Sequence, residues 1–285
     1  MTVYVFRARG TTEPYGRASM LGHVTDQVRR VHPGVVIEDV VHSASISFDN
    51  ATRDPLAPSG DNCANQIVAW LNQRVAQLGP NDVFVVLGYS LGAVGVTRWL
   101  AQHRPGGARC LMVGLIANPS RRAGTTYGLP NGYDSDPVRH TLDARAGIYS
   151  TQGTGTVAHH LGSTVPLVEI ANPNDVMTSC PKVSPLHSFA GPVMAADLRD
   201  PGALIEQLRA GGIERIVASV ANVANWANAR WWTWVGDLDA FMKHTHTTDY
   251  ALPMWRGSDG RPVSGIDLLA RQANWRIGRA LQAAA

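Results

Sequence analysis

The chain has 285 residues, a length that fits one large domain or two small ones. Hydrophobic residues make up 45% of it, which excludes a disordered protein. Only 16% of the residues are charged and the formal net charge is +3, an excess too small and too scattered for a nucleic-acid-binding protein. Three cysteines are too few for a disulfide scaffold, and no uninterrupted apolar run is long enough to predict a transmembrane segment.

The first 171 residues alternate between segments of strand and helix character. Unbroken apolar runs at 83–87 and 110–117 are typical of strands that are covered on both faces. Apolar residues at helical spacing predict helices between the strands. The predicted strands, in chain order, are 2–8, 35–41, 83–87, 110–117 and 165–171, and the predicted helices are 20–31, 64–77 and 92–102. This alternation predicts an α/β fold in which helices cover both faces of a central parallel sheet.

The second half of the chain does not continue this alternation. Residues 121–162 are rich in Gly, Thr and Asp and are predicted to be mostly loop. Residues 181–243 are predicted to be helical, with amphipathic stretches at 198–208 and 213–229, and 267–284 form a last predicted helix. Four tryptophans cluster in the helical part, namely Trp226, Trp231, Trp232 and Trp234. This cluster predicts helices that pack on their neighbours through aromatic anchors, with a lid or cap beside a lipid-like substrate as the alternative.

The strongest motif is Gly88-Tyr89-Ser90-Leu91-Gly92, which fits the pattern G-x-S-x-G. An apolar strand precedes it and a predicted helix follows it, as in the strand-to-helix turn that carries a nucleophilic serine. The backbone of such a turn is strained, and only small residues two positions before and after the serine avoid a clash. The turn raises the Ser90 hydroxyl above the sheet, where the Leu91 backbone N–H is able to donate to an oxyanion. The motif therefore predicts Ser90 as a nucleophile and Leu91 as an oxyanion donor.

A nucleophilic serine needs a base that is held by an acid, and in this kind of fold the chain order is serine, acid, histidine. Asp175 comes just after the predicted strand at 165–171 and is the predicted acid. The alternative for this residue is an aspartate that caps a loop. Asp134 and Asp136 precede that strand and are weaker candidates.

The base must follow the acid, which leaves His187, His244 and His246. His187 precedes the helical segment, whereas His244 and His246 lie in a polar stretch after it, where the last loop at this edge of a sheet is expected. We predict His246 as the base, with His244 as the alternative. No metal site is predicted at this pair, because no Cys or carboxylate stands at ligand spacing from it.

A second oxyanion donor is expected in the loop after the first strand, where Arg9-Gly10-Thr11 stands. Gly10 allows a close approach of the backbone, so that the Thr11 N–H or hydroxyl is able to face the developing charge. One donor of this kind typically lowers the barrier by about 3 kcal/mol. Without the serine motif, the same residues would be interpreted as a plain turn.

The segment Phe6-Arg7-Ala8-Arg9-Gly10-Thr11-Thr12-Glu13-Pro14 resembles the first-strand signature of the cutinase-like serine esterases. Over residues 3–255 the order of motifs is most similar to the mycobacteriophage lysin B group of these esterases. The further motifs are Gly88–Gly92, Ala117-Asn118-Pro119-Ser120-Arg121, Asn174-Asp175 and a late histidine before Tyr250. The resemblance implies an α/β-hydrolase fold, a three-layer sandwich with a helical insert between acid and histidine. It also implies ester hydrolysis with Ser90 as nucleophile, Asp175 as acid, His246 or His244 as base and Thr11 as oxyanion residue.

The substrate that the resemblance implies is the ester between mycolic acids and arabinogalactan in the mycobacterial envelope, cleaved during phage lysis without a cofactor. The alternatives are a cellular cutinase-like lipase or esterase on shorter acyl esters, and a catalytically inactive envelope-binding module. We expect a monomer, made in the host cytoplasm without a signal peptide because Met1-Thr2 runs directly into the first predicted strand. It would act at the host envelope after release.

The resemblance also implies two structural parts. Residues 1–180 and 244–285 form the catalytic domain, and 181–243 form a helical linker or lid subdomain inserted between acid and histidine.

The cysteines differ from those of secreted cutinases, which have a cysteine pair flanking the acid. Only Cys180 is near Asp175 in this sequence. Cys63 and Cys110 are most simply interpreted as reduced thiols, and a Cys63–Cys180 bridge is left open.

Overall fold

Parallel strands form the central sheet of the computed structural model, which describes residues 1–122 except 48, 55, 104 and 105, residues 145–149, residues 165–195 except 183, and residues 233–285 except 258. The strands of this sheet are β1 (Val3–Ala8), β2 (Val36–Asp39), β3 (Val83–Tyr89), β4 (Arg109–Ile116) and β5 (Leu167–Ile170). Their order across the sheet is β2-β1-β3-β4-β5, and each pair of neighbours is parallel. The predicted strands are confirmed, with small shifts at their ends.

The strand order reverses at β1, since β2 lies on one side of it and β3 on the other. The carboxyl ends of β1 and β3 therefore border a crevice, which is where open α/β sheets usually bind ligands. Ala8 at the end of β1 pairs with Gly88 near the end of β3, so the two strands end side by side. Ser90 follows β3 and residues 9–13 follow β1, so both predicted reactive segments emerge at this crevice.

Helices cover both faces of the sheet. In the described part of the chain they are α1 (Met20–Val31), α2 (Gly60–Ala76), α3 (Leu91–Gln102), α4 (Leu186–Ala195), α5 (Trp234–Ala240) and α6 (Gly265–Ala284). Helices α1 and α6 share a core with Val85 and Leu87 of β3, and α2 and α3 share the other core with Phe84 and Val86. Because side chains alternate along a strand, the unbroken apolar run of β3 fills both layers. The predicted three-layer α/β sandwich is confirmed.

Serine caps start two helices earlier than the apolar pattern predicted. Ser59 precedes α2, and its hydroxyl accepts a hydrogen bond from the Asn62 N–H at 3.1 Å. Ser264 precedes α6 and accepts from the Asp267 N–H at 3.0 Å. A capping hydroxyl satisfies one of the first N–H groups, which have no acceptor within the helix. The helices predicted from 64 and from 267 therefore begin at 60 and 265.

Residues 241–251, which we call the base segment, are more regular than the polar loop that the sequence predicted around His244 and His246. One π-helical turn covers Phe241–Thr245 and a 3-10 turn covers Thr248–Ala251. An antiparallel pair follows, formed by β6 (Trp255–Arg256) and β7 (Pro262–Val263). The polar residues of the base segment are divided between surface and interior: Lys243, His244, Thr247 and Thr248 are exposed, whereas Thr245, His246, Asp249 and Tyr250 are buried.

The predicted helical insert at 181–243 is described only near its ends, by α4 and α5. The amphipathic stretches at 198–208 and 213–229 lie outside the described residues, and the division into a catalytic domain and an insert stays a prediction. Also outside the described residues are Trp226, Trp231, Trp232, Asp134 and Asp136. Among the described helices, none is both long enough and apolar enough to cross a membrane.

The three cysteines are free thiols. The sulfur of Cys63 is buried 3.3 Å from the Ser45 hydroxyl, and Cys180 is also fully buried. Burial raises the pKa of the Cys180 thiol to about 12. The Cys63–Cys180 bridge that the sequence left open is therefore not formed.

Candidate active site

Ser90 stands on a strained turn between β3 and α3, with φ of 52° and ψ of −119°. A non-glycine residue with this positive φ costs free energy and persists only where the surroundings impose it. The surroundings here leave no room for larger neighbours. A Cβ on Gly92 would lie 2.0 Å from the Ala8 carbonyl oxygen, and one on Gly88 would lie 2.8 Å from the Ala93 Cα. The two glycines of the motif are thus required by close backbone packing.

The structure brings Ser90, His246 and Asp175 into one hydrogen-bonded line. His246 Nε2 lies 2.8 Å from Ser90 Oγ, and His246 Nδ1 lies 2.8 Å from Asp175 Oδ2. Asp175 is fully buried, His246 is 6% exposed, and Ser90 at the end of the line is partly exposed. The network assigns the hydrogens: Ser90 donates to Nε2, and Nδ1–H donates to the carboxylate. The geometry is that of a nucleophile, its base and its orienting acid, while the catalytic roles stay predictions.

His244 and His187, the other candidate bases, have different partners. His244 Nδ1 lies 3.1 Å from Asp249 Oδ1, and its side chain is half exposed. His187 Nδ1 lies 3.1 Å from the Ile148 carbonyl oxygen, and burial lowers the pKa of His187. The structure therefore places His246, and neither alternative, against Ser90.

The Asp175 carboxylate lies in residues 172–180, the loop that follows β5, which we call the acid loop. Its Oδ1 accepts from the Met177 N–H at 3.0 Å. Its Oδ2 accepts from the Tyr250 hydroxyl at 2.9 Å and from Thr178 Oγ1 at 3.3 Å, in addition to His246. A buried carboxylate requires such donors. Sequence reasoning missed Tyr250 as part of the site, because a tyrosine four residues after a histidine has no distinctive pattern.

The His246 ring is held from two sides. Its centroid lies 5.8 Å from the Tyr89 ring, with 28° between the planes, and 5.1 Å from the Phe241 ring. The Tyr89 hydroxyl donates to the His246 carbonyl oxygen at 2.9 Å. Burial raises the pKa of Tyr89, so the phenol stays protonated and keeps donating. Tyr89, the variable residue of the serine motif, therefore links the nucleophile turn to the base segment.

The loop at residues 9–13, which we call the oxyanion loop, packs against the serine turn. A Cβ on Gly10 would lie 2.7 Å from the Tyr89 ring and 3.2 Å from Ser90 Cβ. The predicted donor Thr11 follows Gly10 and is partly exposed. The other predicted donor, Leu91, is the first residue of α3, where an N–H lacks an acceptor within the helix. The placement suits both predicted oxyanion roles, which stay predictions.

Glu13 supports the oxyanion loop, a role that the sequence analysis did not identify. Its carboxylate accepts from the Gly10 N–H at 2.8 Å and from the Met20 N–H at 2.7 Å, which joins the loop to the start of α1. Burial raises the pKa of the Glu13 carboxyl, and the two N–H donors and nearby Arg9 oppose that change. The available signal was its place three residues after Gly10 in the first-strand motif.

The Asn118-Pro119-Ser120-Arg121 motif braces the acid loop. Arg121 is 1% exposed, and its guanidinium donates from Nε to the Thr178 carbonyl oxygen at 2.9 Å and from Nη2 to the Arg145 carbonyl oxygen at 2.8 Å. Asn118 Nδ2 donates to Glu169 Oε1 at 2.6 Å, which connects this motif to β5. The motif thus acts on the fold around Asp175 rather than on Ser90 directly.

A cavity of about 310 Å³ lies between the acid loop and the base segment. It is lined in part by Asn174 and Val176, which flank Asp175, and by Thr245, which precedes His246. Arg145, Asp237 and His244 give the lining charged and polar groups. Pro173, Val176, Pro181 and Ala240 give the lining apolar groups as well, so the cavity offers both kinds of surface to a ligand.

No family model matches the sequence, and no curated protein matches it. Among solved structures, the chain is similar to lysin B from Mycobacteriophage D29, at 18% identity over 87% of this chain and 95% of that one, with a TM-score of 0.51. A cutinase-like protein from Cryptococcus sp. aligns at 20% identity over 76% of this chain and 94% of that one, with a TM-score of 0.49. Together with the five-stranded parallel sheet and its two helical layers, the lysin B similarity shows that this chain has the α/β-hydrolase fold.

Proposed function

We propose that the chain is a serine hydrolase that cleaves carboxylic esters through an acyl-enzyme on Ser90. The observation that carries this proposal is the pair of 2.8 Å contacts that joins Ser90 to His246 and His246 to Asp175. A serine hydroxyl is a poor nucleophile until a neighbouring base accepts its proton, and a buried carboxylate keeps that base in the required tautomer. The strained turn and the helix that starts at Leu91 add a site for negative charge next to the same oxygen.

In the proposed first half-reaction, Ser90 Oγ attacks the ester carbonyl carbon while His246 Nε2 takes its proton. The carbonyl oxygen becomes an oxyanion that the Leu91 N–H and Thr11 stabilise. The C–O bond to the alcohol then breaks, and His246 gives the proton to the leaving oxygen. In the second half-reaction a water molecule gives its proton to His246 and attacks the acyl carbon, and Ser90 regains the proton as the acid leaves. No cofactor takes part in these steps.

The test is Ser90→Ala, assayed with p-nitrophenyl esters. We expect kcat to fall by at least about 10³-fold, because both half-reactions need the hydroxyl. Ser43→Ala is the matched control, since it makes the same chemical change at an exposed position. Labelling by a fluorophosphonate should occur in the unmodified chain and disappear in Ser90→Ala. Undiminished turnover in Ser90→Ala contradicts the proposal, and a chain that neither labels nor hydrolyses esters favours the inactive envelope-binding module.

We further propose that the substrate is the ester between mycolic acids and arabinogalactan, cleaved during phage lysis. The support is the motif order that resembles the lysin B group and the similarity to lysin B, which extends over most of both chains. The cavity beside the acid loop, with Arg145 and Asp237 in its lining, offers polar groups to the sugar side of such an ester. On this proposal the protein is made in the host cytoplasm and acts, as a monomer, at the envelope after release.

Two substrates separate this proposal from its alternative. The mycolyl-ester proposal predicts release of mycolic acids from purified mycobacterial envelope at a rate well above that on triglyceride emulsions. A cellular lipase or esterase for shorter acyl chains predicts the opposite ranking. Light scattering after size-exclusion chromatography tests the proposed monomer, and a stable dimer contradicts it.

A further inference from the structure

Tyr250 places a phenol at the centre of the buried contacts around the acid. It lies in the 3-10 turn of the base segment, four residues after His246, and its side chain is fully buried. Its ring stacks on Trp255, with 5.6 Å between the centroids and 24° between the planes. The ring therefore has a fixed position in the core that is shared with α6 and the sheet.

The contacts of the Tyr250 oxygen determine where its single hydrogen points. The Asn172 backbone N–H donates to this oxygen at 3.0 Å, which occupies one of its acceptor positions. Asp175 Oδ2 lies 2.9 Å away and accepts only, so the phenol hydrogen points at the carboxylate. Thr178 Oγ1 lies 3.4 Å from the phenol oxygen and completes the group. The phenol therefore forms hydrogen bonds both to Asn172, at the start of the acid loop, and to Asp175.

The same carboxylate oxygen accepts from His246 Nδ1 at 2.8 Å. The phenol and the imidazole, with Thr178 Oγ1 as a longer third donor, therefore share the negative charge of Asp175 Oδ2. Burial, together with the nearby Asp175 carboxylate, raises the pKa of Tyr250 well above its ordinary value, so the phenol remains a donor throughout the working pH range.

We propose that Tyr250 is a positioning residue: its O–H holds the Asp175 carboxylate against His246 and takes up part of the charge that would otherwise act on the imidazole. The proposal rests on the proposed function, because it concerns the same three residues. Without the phenol donor, the carboxylate keeps its bonds to the Met177 N–H and Thr178 Oγ1 but is held less firmly, and its Oδ2 becomes a stronger acceptor for the imidazole N–H. Positioning and charge sharing thus have separate consequences, one for turnover and one for the His246–Asp175 hydrogen bond.

The test compares Tyr250→Phe with Tyr149→Phe. Tyr149 is the matched control because its phenol also donates to a carboxylate, that of Asp61, at 2.9 Å, but this carboxylate pairs with Arg98 instead of with His246. In Tyr250→Phe we expect kcat to fall about tenfold with KM changed by less than about twofold. We also expect the far-downfield proton resonance of His246 Nδ1–H, identified by its absence from His246→Ala, to move further downfield. Tyr149→Phe should change neither quantity.

Site-specific 3,5-difluorotyrosine at position 250 keeps the ring and strengthens the donor, which covers the case in which Tyr250→Phe does not fold. It should move the same resonance upfield. A resonance that stays in place in both variants overturns the proposal even where kcat falls, because lost packing alone would then account for the activity. The resonance is read without turnover, so the proposal is judged separately from the esterase assignment, which Ser90→Ala tests.

Discussion

Ser90 and the elements that present it lie within the single run 83–102, whereas Asp175 and His246 are separated by 71 residues of chain. The serine turn is built from residues that follow one another in the chain: an apolar strand, the motif with its two glycines, and the start of a helix. The acid and the base are brought together by contacts from outside their own segments, above all from Arg121 and Tyr250. The predicted nucleophile is recognisable from one motif, whereas the predicted acid and base follow only from chain order, which left His244 and His246 as alternatives.

The largest expected effect tests the acid–base side. His246→Ala should lower kcat about 10⁴-fold, because Ser90 then loses its base. His244→Ala should change kcat by less than about threefold, because the partner of His244 is Asp249. The measurement is steady-state hydrolysis of p-nitrophenyl esters. A loss in His244→Ala as large as that in His246→Ala would mean that the two histidines are not separated as the structure places them.

The next effect tests whether the serine turn needs glycine where its backbone packs closely. Gly92→Ala should destabilise the fold by about 3–5 kcal/mol, because the new Cβ would lie 2.0 Å from the Ala8 carbonyl oxygen. Gly34→Ala is the matched control, since a Cβ at Gly34 meets nothing within 4 Å. Urea unfolding measures both. Equal stability of the two variants would show that the motif glycines are not sterically required.

A smaller effect concerns the pH dependence of stability that arises from His42, which lies next to the oxyanion loop. His42 is buried against the Val40 and Arg9 carbonyl oxygens, at 2.9 and 3.2 Å, and burial lowers the pKa of His42 from 6.5 to about 4. The neutral ring is therefore favoured in the folded state. Its contribution to stability is complete above pH 6.5 and is lost as the pH falls toward 4, by about 3 kcal/mol in all.

His42→Gln should remove most of this pH dependence, and His23→Gln, at an exposed position, is the matched control. Thermal unfolding between pH 4 and pH 7 measures the slope. A slope that is the same in His42→Gln as in the unmodified chain would assign the acid sensitivity to other groups.

The smallest expected effect tests whether the oxyanion loop beside Ser90 needs the Glu13 carboxylate to keep its shape. Glu13→Gln replaces one acceptor oxygen by an NH₂ group, so that either the Gly10 or the Met20 N–H loses its partner. We expect a loss of about 1–2 kcal/mol in stability and a fall of several-fold in kcat. Glu38→Gln is the control, since its carboxylate pairs with Arg74 away from the site. Unchanged kcat in Glu13→Gln would show that the oxyanion loop holds its shape without this carboxylate.

The sheet, its two helical layers and the place of Ser90 could all be predicted from the amino-acid sequence. Apolar runs of strand length, helical periodicity and the G-x-S-x-G spacing act over a few neighbouring residues, so they can be recognised without knowledge of the fold. The strands were predicted as well, but their order across the sheet, which places Ser90 and the oxyanion loop at one crevice, comes from the structure.

The structure was needed to show which of His244 and His246 lies against Ser90, because the two are only two residues apart in the same polar segment. A turn of π-helix followed by a 3-10 turn directs the His246 ring to Ser90 and the His244 ring to Asp249. The contact between Tyr250 and Asp175, from which we propose the role of Tyr250, was likewise visible only in the structure, because it joins segments 75 residues apart. Such hydrogen bonds depend on how segments far apart in the chain pack together, and no local pattern of residue types encodes that packing.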